Sequence, residues 1–145
     1  MLNAVGAGPI GVDTALFIYL IEEHPRFLAP VRALFARADA GEIEIVTSAL
    51  TLLEVLVVPL RAGDQSLAAK YDALLIRSRG VRVVDLSRDQ LRTAARLLAQ
   101  FSALRTPDAL QLAAAMGAGC QSFISNDRRM PAPDGLRVLQ LSELV

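Results

Sequence analysis

Strand-length and helix-length segments alternate along this chain. They predict an α/β fold: a parallel central sheet of four to five short strands flanked by helices on both faces. Three observations carry that prediction. Short apolar runs, several of them β-branched, recur at Ile10–Asp13, Glu42–Val46, Val81–Val84, Cys120–Ile124 and Leu136–Leu139. Helix-length segments with a 3.6-residue apolar period fill the gaps between them. The apolar fraction of 53% and mean hydropathy of +0.41 suit strands buried on both faces.

At 145 residues the sequence reads as a single domain, 1–145, of ordinary size. It has no repeat and no linker. No apolar run approaches the roughly 20 residues of a membrane span, and no basic region precedes the first apolar stretch, so a secretory signal is not expected. The one cysteine, Cys120, excludes an internal disulfide, reads as a small core residue, and fits a reducing, cytoplasmic compartment. Fifteen basic residues balance fifteen acidic ones, so a polyanionic partner must be held by local arginines rather than by a broad basic surface.

In chain order, Gly6-Ala7-Gly8-Pro9-Ile10-Gly11 has the letters of a dinucleotide-binding loop. Such glycines must follow a strand and open a helix; here a strand follows them, which argues against a cofactor. Asp13 closes the first strand and stands at the cap of a helix over Thr14–Glu23, where capping alone would explain it. His24-Pro25 ends that helix in a polar turn, and His24 reads as a surface residue. Phe17 and Tyr19 read as packing residues.

A second helix, Phe27–Ala40, places Leu28, Val31, Leu34, Phe35 and Ala38 on one stripe before Gly41. Ser48 starts a third, Ala49 to Leu60, in which Glu54 is the only charge; a carboxylate there needs a surface position or a cation. Gln65–Arg79 is a more polar fourth helix. Asp85 reads as a turn residue, and Arg77, Arg79, Arg82 and Arg88 as a solvated face rather than an RNA track. Ser87 caps a fifth helix with Leu91, Ala94, Ala95 and Leu98 at i, i+3, i+4 and i+7.

The segment Arg105–Asp127 organises the rest. Thr106 can cap a helix, Pro107 fits its first turn, and Asp108 meets the positive end of its dipole. From Ala109 to Ala118 only Gln111 is polar, so this helix is packed on most sides; Gly117 and Gly119 can end it in a left-handed turn. Cys120–Ile124 is then a strand leading to Ser125-Asn126-Asp127. A helix antiparallel to the strand after it starts near that strand's carboxyl end, which makes Asp108 and Asp127 neighbours. Ligands of open α/β sheets bind in that crevice.

Asp13, Glu54, Asp108 and Asp127 can therefore face one edge of the sheet. Two charges about 4 Å apart repel by roughly 4 kcal/mol at an effective dielectric near 20, so the four must share protons or hold a hard cation. All-oxygen donors point to Mg²⁺ or Mn²⁺ rather than zinc. Such an ion activates water for phosphodiester hydrolysis. Thr14, Ser125 and Asn126 could orient the carboxylates by hydrogen bonds, and Arg128 and Arg129 could grip phosphates.

Val12-Asp13-Thr14, Leu52-Leu53-Glu54-Val55-Leu56, Thr106-Pro107-Asp108-Ala109-Leu110-Gln111-Leu112-Ala113-Ala114-Ala115 and Ile124-Ser125-Asn126-Asp127, in that order over nearly the whole chain, resemble the PIN-domain nucleases. The likeness is to the VapC-type toxins of type II toxin–antitoxin pairs. It implies a PIN-like fold and a Mg²⁺-dependent endoribonuclease with an acidic set at Asp13, Glu54, Asp108 and Asp127. It further implies a homodimer blocked by a cognate antitoxin protein, and a structured RNA as substrate. Ser125 stands where the family commonly has threonine, which keeps the hydroxyl.

Other classes lack their residues. An aspartyl-nucleophile phosphatase would want an acid where Ala15 stands, a receiver domain a lysine at a strand end where the only lysine, Lys70, lies in a helix, and a P-loop enzyme a glycine-rich loop ending in lysine. The rival readings are a catalytically silent PIN-like module that binds RNA or protein, and a DNA-directed nuclease.

Overall fold

The computed structural model describes residues 5, 6 and 8–144. Ala7 of the glycine-rich letters and Val145 of the expected tail lie outside the described residues. Five strands form one fully parallel sheet: β1 (Gly8–Val12), β2 (Ile43–Ser48), β3 (Val81–Val84), β4 (Ser122–Ser125) and β5 (Arg137–Gln140), in the spatial order β3-β2-β1-β4-β5. The helices are α1 (Thr14–Ile21), α2 (Leu28–Asp39), α3 (Ala49–Arg61), α4 (Gln65–Arg77), α5 (Arg88–Gln100) and α6 (Thr106–Gly117), and a 3₁₀ turn spans Leu141–Glu143.

Alternation along each strand divides the core in two. On one face Ile10, Val12, Ile45 and Ile124 pack with Leu16, Phe17, Val31, Leu34, Val55, Tyr71 and Leu75 of α1 to α4. On the other, Val46 and Phe123 pack with Ala94, Leu97, Ala109, Leu112, Ala113 and Ala115 of α5 and α6. The expected helices on both faces are present. α6 comes close to the sheet because β1 has no side chain at Gly11: a Cβ there would lie 2.7 Å from Ala115 Cβ and from Phe123 Cδ2.

Several boundaries differ from the sequence reading. β1 begins at Gly8, two residues before the expected start, so the glycine-rich letters run into a strand and open no helix. α1 stops at Ile21, where Glu22 caps it and Glu23 takes a positive φ of 52°. β4 and β5 are shifted toward the carboxyl end, and Cys120 is buried just ahead of β4. α6 is capped by Arg105, with no side-chain cap bond, so Thr106 is its first residue instead of its cap; Gly117 is its last, and Gly119 supplies the left-handed turn at φ +79°.

The core stripe of α5 also differs. Ala94 and Leu97 are buried, with Leu98 and Phe101 packed beside them, while Leu91 is 48% exposed and Ala95 is exposed. The face centred on Leu97 shares Ala94 and Leu98 with the expected one. Phe101, just past the helix, tips the balance toward it.

Gly80, before β3, combines a φ of +78° with a site where a Cβ would sit 2.4 Å from the Ala38 carbonyl oxygen. Gly63 has a similar φ, +68°, with nothing within 4 Å of that position. Gly80→Ala is therefore expected to cost roughly 2–4 kcal/mol, left-handed strain plus backbone collision, and Gly63→Ala only about 1 kcal/mol. Urea denaturation of both variants checks the difference, and equal losses would contradict it.

Candidate active site

β1 is the central strand, and the chain builds the sheet outward from it in both directions. The crevice at its carboxyl end is the topological switch point of the sheet. Asp13 follows β1 immediately, and its N–H donates to the Ile124 carbonyl oxygen at 3.0 Å, which extends the β1–β4 pairing by one residue. Asp13 is the N-cap residue of α1 by backbone position, yet its side chain makes no capping hydrogen bond. Its Oδ2 instead accepts the Ser125 hydroxyl at 3.0 Å. The capping explanation of Asp13 is thereby corrected: the carboxylate is tied to the end of β4.

Burial raises the Asp13 pKa above its ordinary value of 3.8. The Ser125 hydroxyl and the Thr14 backbone oppose the rise, and the negative charges of Asp108 and Glu54 add to it. Asp13, Asp108 and Glu54 therefore share one electrostatic neighbourhood. Asp108, in the first turn of α6, is 19% exposed and pairs with Arg105 at 3.4 Å.

Asp127 behaves differently. The Arg129 guanidinium grips it through two N–H donors at 3.1 Å each, and the Arg129 backbone N–H adds a third at 2.9 Å. This side-chain grip, followed by the backbone bond, holds the Asp127 carboxyl below its ordinary value. Ser125 Oγ accepts the Asp127 N–H at 3.0 Å, and Gln140 Nε2 donates to the Asp127 carbonyl oxygen at 3.0 Å, so the loop backbone is fixed.

Two further expectations, those for Asn126 and His24, are revised. Asn126 does not reach a carboxylate; its amide donates to the Tyr19 hydroxyl at 3.0 Å. Arg128 pairs with Glu143 at 3.6 Å and donates to Ser142 at 3.2 Å. His24 is half-buried rather than a free surface group: its Nδ1 accepts the N–H groups of Arg26 and Phe27, and its ring packs between Tyr19 and Phe27. Arg82 pairs with Glu44 at 3.3 Å on the surface.

Glu54, on α3, has neither a surface position nor a basic partner among the described residues. It is half-buried, and its Oε1 accepts the Thr14 hydroxyl at 2.8 Å and the Gln111 amide at 3.4 Å. Behind it lies a buried polar cluster that the sequence reading missed apart from Thr14. Gln111 Nε2 also donates to Thr51 Oγ1 at 2.8 Å and Thr14 Oγ1 at 3.0 Å, and the Thr47 and Thr51 hydroxyls meet at 2.7 Å. The one available signal was Gln111 itself, alone among alanines and leucines.

Among the described residues no three acidic, histidine or cysteine side chains converge closely enough to enclose a metal ion. The chemistry of the donors still fits a hard cation. All are oxygens, and Asp13, half-buried, is left with like charges beside it and only neutral hydrogen-bond donors on its carboxylate.

The description "PIN domain" belongs to the family model that matches residues 10–136, a span that includes Asp13, Glu54, Asp108 and Asp127. The chain belongs to the PIN domain family. No curated protein matches it at a significant level. Solved structures share the PIN fold at low identity. VapBC2 of Rickettsia felis, bound to a promoter DNA fragment, superposes with a TM-score of 0.68 at 18% identity, covering 92% of this chain and 98% of that one. VapC20 of Mycobacterium tuberculosis, described as a toxin that cleaves the sarcin-ricin loop, gives 0.64 at 22%, over 79% and 86%. A toxin–antitoxin complex from Klebsiella pneumoniae gives 0.63 at 22%, over 90% and 95%.

The raised Asp13 pKa fixes a sign. The folded state holds this proton more tightly than the unfolded chain, so stability is greatest on the acid side and is lost as pH rises from the ordinary value through the raised one. In EDTA, Asp13→Asn is expected to be more stable than the parent at pH 7, with the gap closing toward pH 3. Urea denaturation across that range checks this, and a less stable variant at pH 7 would contradict it.

Proposed function

We propose that this PIN domain is a metal-dependent endoribonuclease acting as the toxin of a toxin–antitoxin pair. The observation that carries the reading is the half-buried Asp13 carboxylate at the switch point, bonded to the Ser125 hydroxyl and within electrostatic reach of Asp108 and Glu54. Asp13, Asp108 and Glu54 are the residues that would hold Mg²⁺ or Mn²⁺, with Asp127 joining on release from Arg129. When bound, such an ion supplies a water acidified for in-line attack on a phosphodiester.

The chain's own residues do the rest. The Ser125 hydroxyl keeps the Asp13 carboxylate facing the crevice. Arg105, Arg128 and Arg129 ring the same edge and are more than half exposed, so they can exchange their carboxylate partners for phosphate oxygens of the RNA.

The partners follow from the same comparisons and from the surface. Neighbours of the same fold are toxin–antitoxin complexes, which supports a cognate antitoxin as protein partner. Leu53, Val58 and Leu60 of α3 and Ile76 of α4 are more than half exposed, and apolar surface of this kind supports a homodimer. No helix among the described residues is long and apolar enough to cross a membrane, and the single buried thiol agrees with a cytoplasmic setting.

Purified antitoxin-free protein with Mg²⁺ or Mn²⁺ is expected to cut RNA from its host and to stop when EDTA is added. Asp13→Asn and Asp108→Asn should each lower cleavage by more than the roughly 10- to 100-fold that follows loss of a group merely supporting a metal ligand, with circular dichroism unchanged. Metal-independent cleavage, or none, would overturn the proposal and favour a binding module. Cleavage of DNA in place of RNA would reassign the substrate.

A further inference from the structure

Gln111 stands out among the groups around the site because it is 3% exposed, carries an amide oxygen with no hydrogen-bond partner, and sends its nitrogen toward three oxygens. Buried amides are normally satisfied at both ends. The unpartnered oxygen has a physical cause. A flipped amide would set Gln111 Oε1 at 3.4 Å from Glu54 Oε1, which already accepts the Thr14 hydroxyl, so one acceptor would face another and the amide turns its nitrogen there instead.

The hydroxyls can be ordered from the same constraint. Thr14 Oγ1 donates to Glu54 and Thr47 Oγ1 to the Val12 carbonyl oxygen at 3.4 Å, while Thr51 Oγ1 meets both Thr47 Oγ1 at 2.7 Å and Thr14 Oγ1 at 3.0 Å and can give its one proton to either. Gln111 supplies N–H groups to Thr51 and Thr14, the two hydroxyls whose own protons are committed elsewhere. The relay ties α6 to α1, β2 and α3 and ends on a single atom, Glu54 Oε1. Glu54 Oε2 is left with no protein partner among the described residues.

We infer that Gln111 is a positioning residue: through Thr14 and Thr51 it locks Glu54 by one oxygen and leaves the other for the cation. The inference deepens the cation-binding reading above and rests on it. A half-buried glutamate on a helix has three rotatable bonds with which to leave the crevice. Donors fixed to two other elements, α1 and α6, remove that freedom before a cation arrives.

The test is a Mn²⁺ titration followed by electron paramagnetic resonance, on the full chain and on Gln111→Met, Glu54→Gln and the double variant, with circular dichroism and thermal melting on each. Gln111→Met is expected to weaken Mn²⁺ binding about tenfold in a folded protein. In the Glu54→Gln background the same change should add little, because its effect passes through Glu54. Thr51→Val, which removes a hydroxyl at constant shape, should act in the same direction and serves if Gln111→Met does not fold. Unchanged Mn²⁺ affinity in Gln111→Met or Thr51→Val, or full additivity with Glu54→Gln, would overturn the inference. Absence of Mn²⁺ binding in the unmodified protein would instead overturn the proposed function.

Discussion

The architecture turns on a half-buried carboxylate at the end of the central strand. Asp13 is bonded through its backbone to β4 and through its carboxylate to Ser125, and it takes its position from a strand paired on both sides. Burial disfavours its charge, and two further acids act on it in the same sense. Under the proposed function, a bound cation would offset both costs.

Each of the other acids meets the same pressure differently. Asp127 is exposed enough to take a guanidinium from two residues away and is stabilised as an anion. Asp108 has a looser contact with Arg105 at the start of α6, where the helix dipole also favours negative charge. Glu54 has no basic partner among the described residues and depends on neutral donors drawn from α1 and α6. The arginines and the hydroxyl relay thus restrain a set of like charges, and the arginine pairs are the more exposed of these contacts.

What the sequence discloses follows from the range of the physics. Asp13 and Asp127 could be placed from local pattern because strand ends are set by short apolar runs, and Asp108 because proline and dipole rules act within one turn. The two-sided covering of the sheet was legible from the alternation of elements. Hydrogen-bond partners were not: Ser125 lies 112 residues from Asp13 and Gln111 lies 97 from Thr14, and no periodicity encodes such pairs. Asp13 looks like a cap because it holds the N-cap backbone position of α1, and only the structure shows that its side chain makes no cap bond. The face of α5 was misjudged because two apolar stripes overlap at Ala94 and Leu98, and only packing against α6 chooses between them.

The central claim of the proposed function is that Asp13, Asp108 and Glu54, which as they stand do not enclose an ion, draw together around a divalent cation. Anomalous diffraction from crystals grown with saturating Mn²⁺ tests it most directly. The account predicts a single strong peak in the crevice beyond β1, bounded by the Asp13 and Asp108 carboxylates and reached by Glu54 Oε2. A map with no peak there, or with Mn²⁺ seated only elsewhere on the molecule, would contradict it.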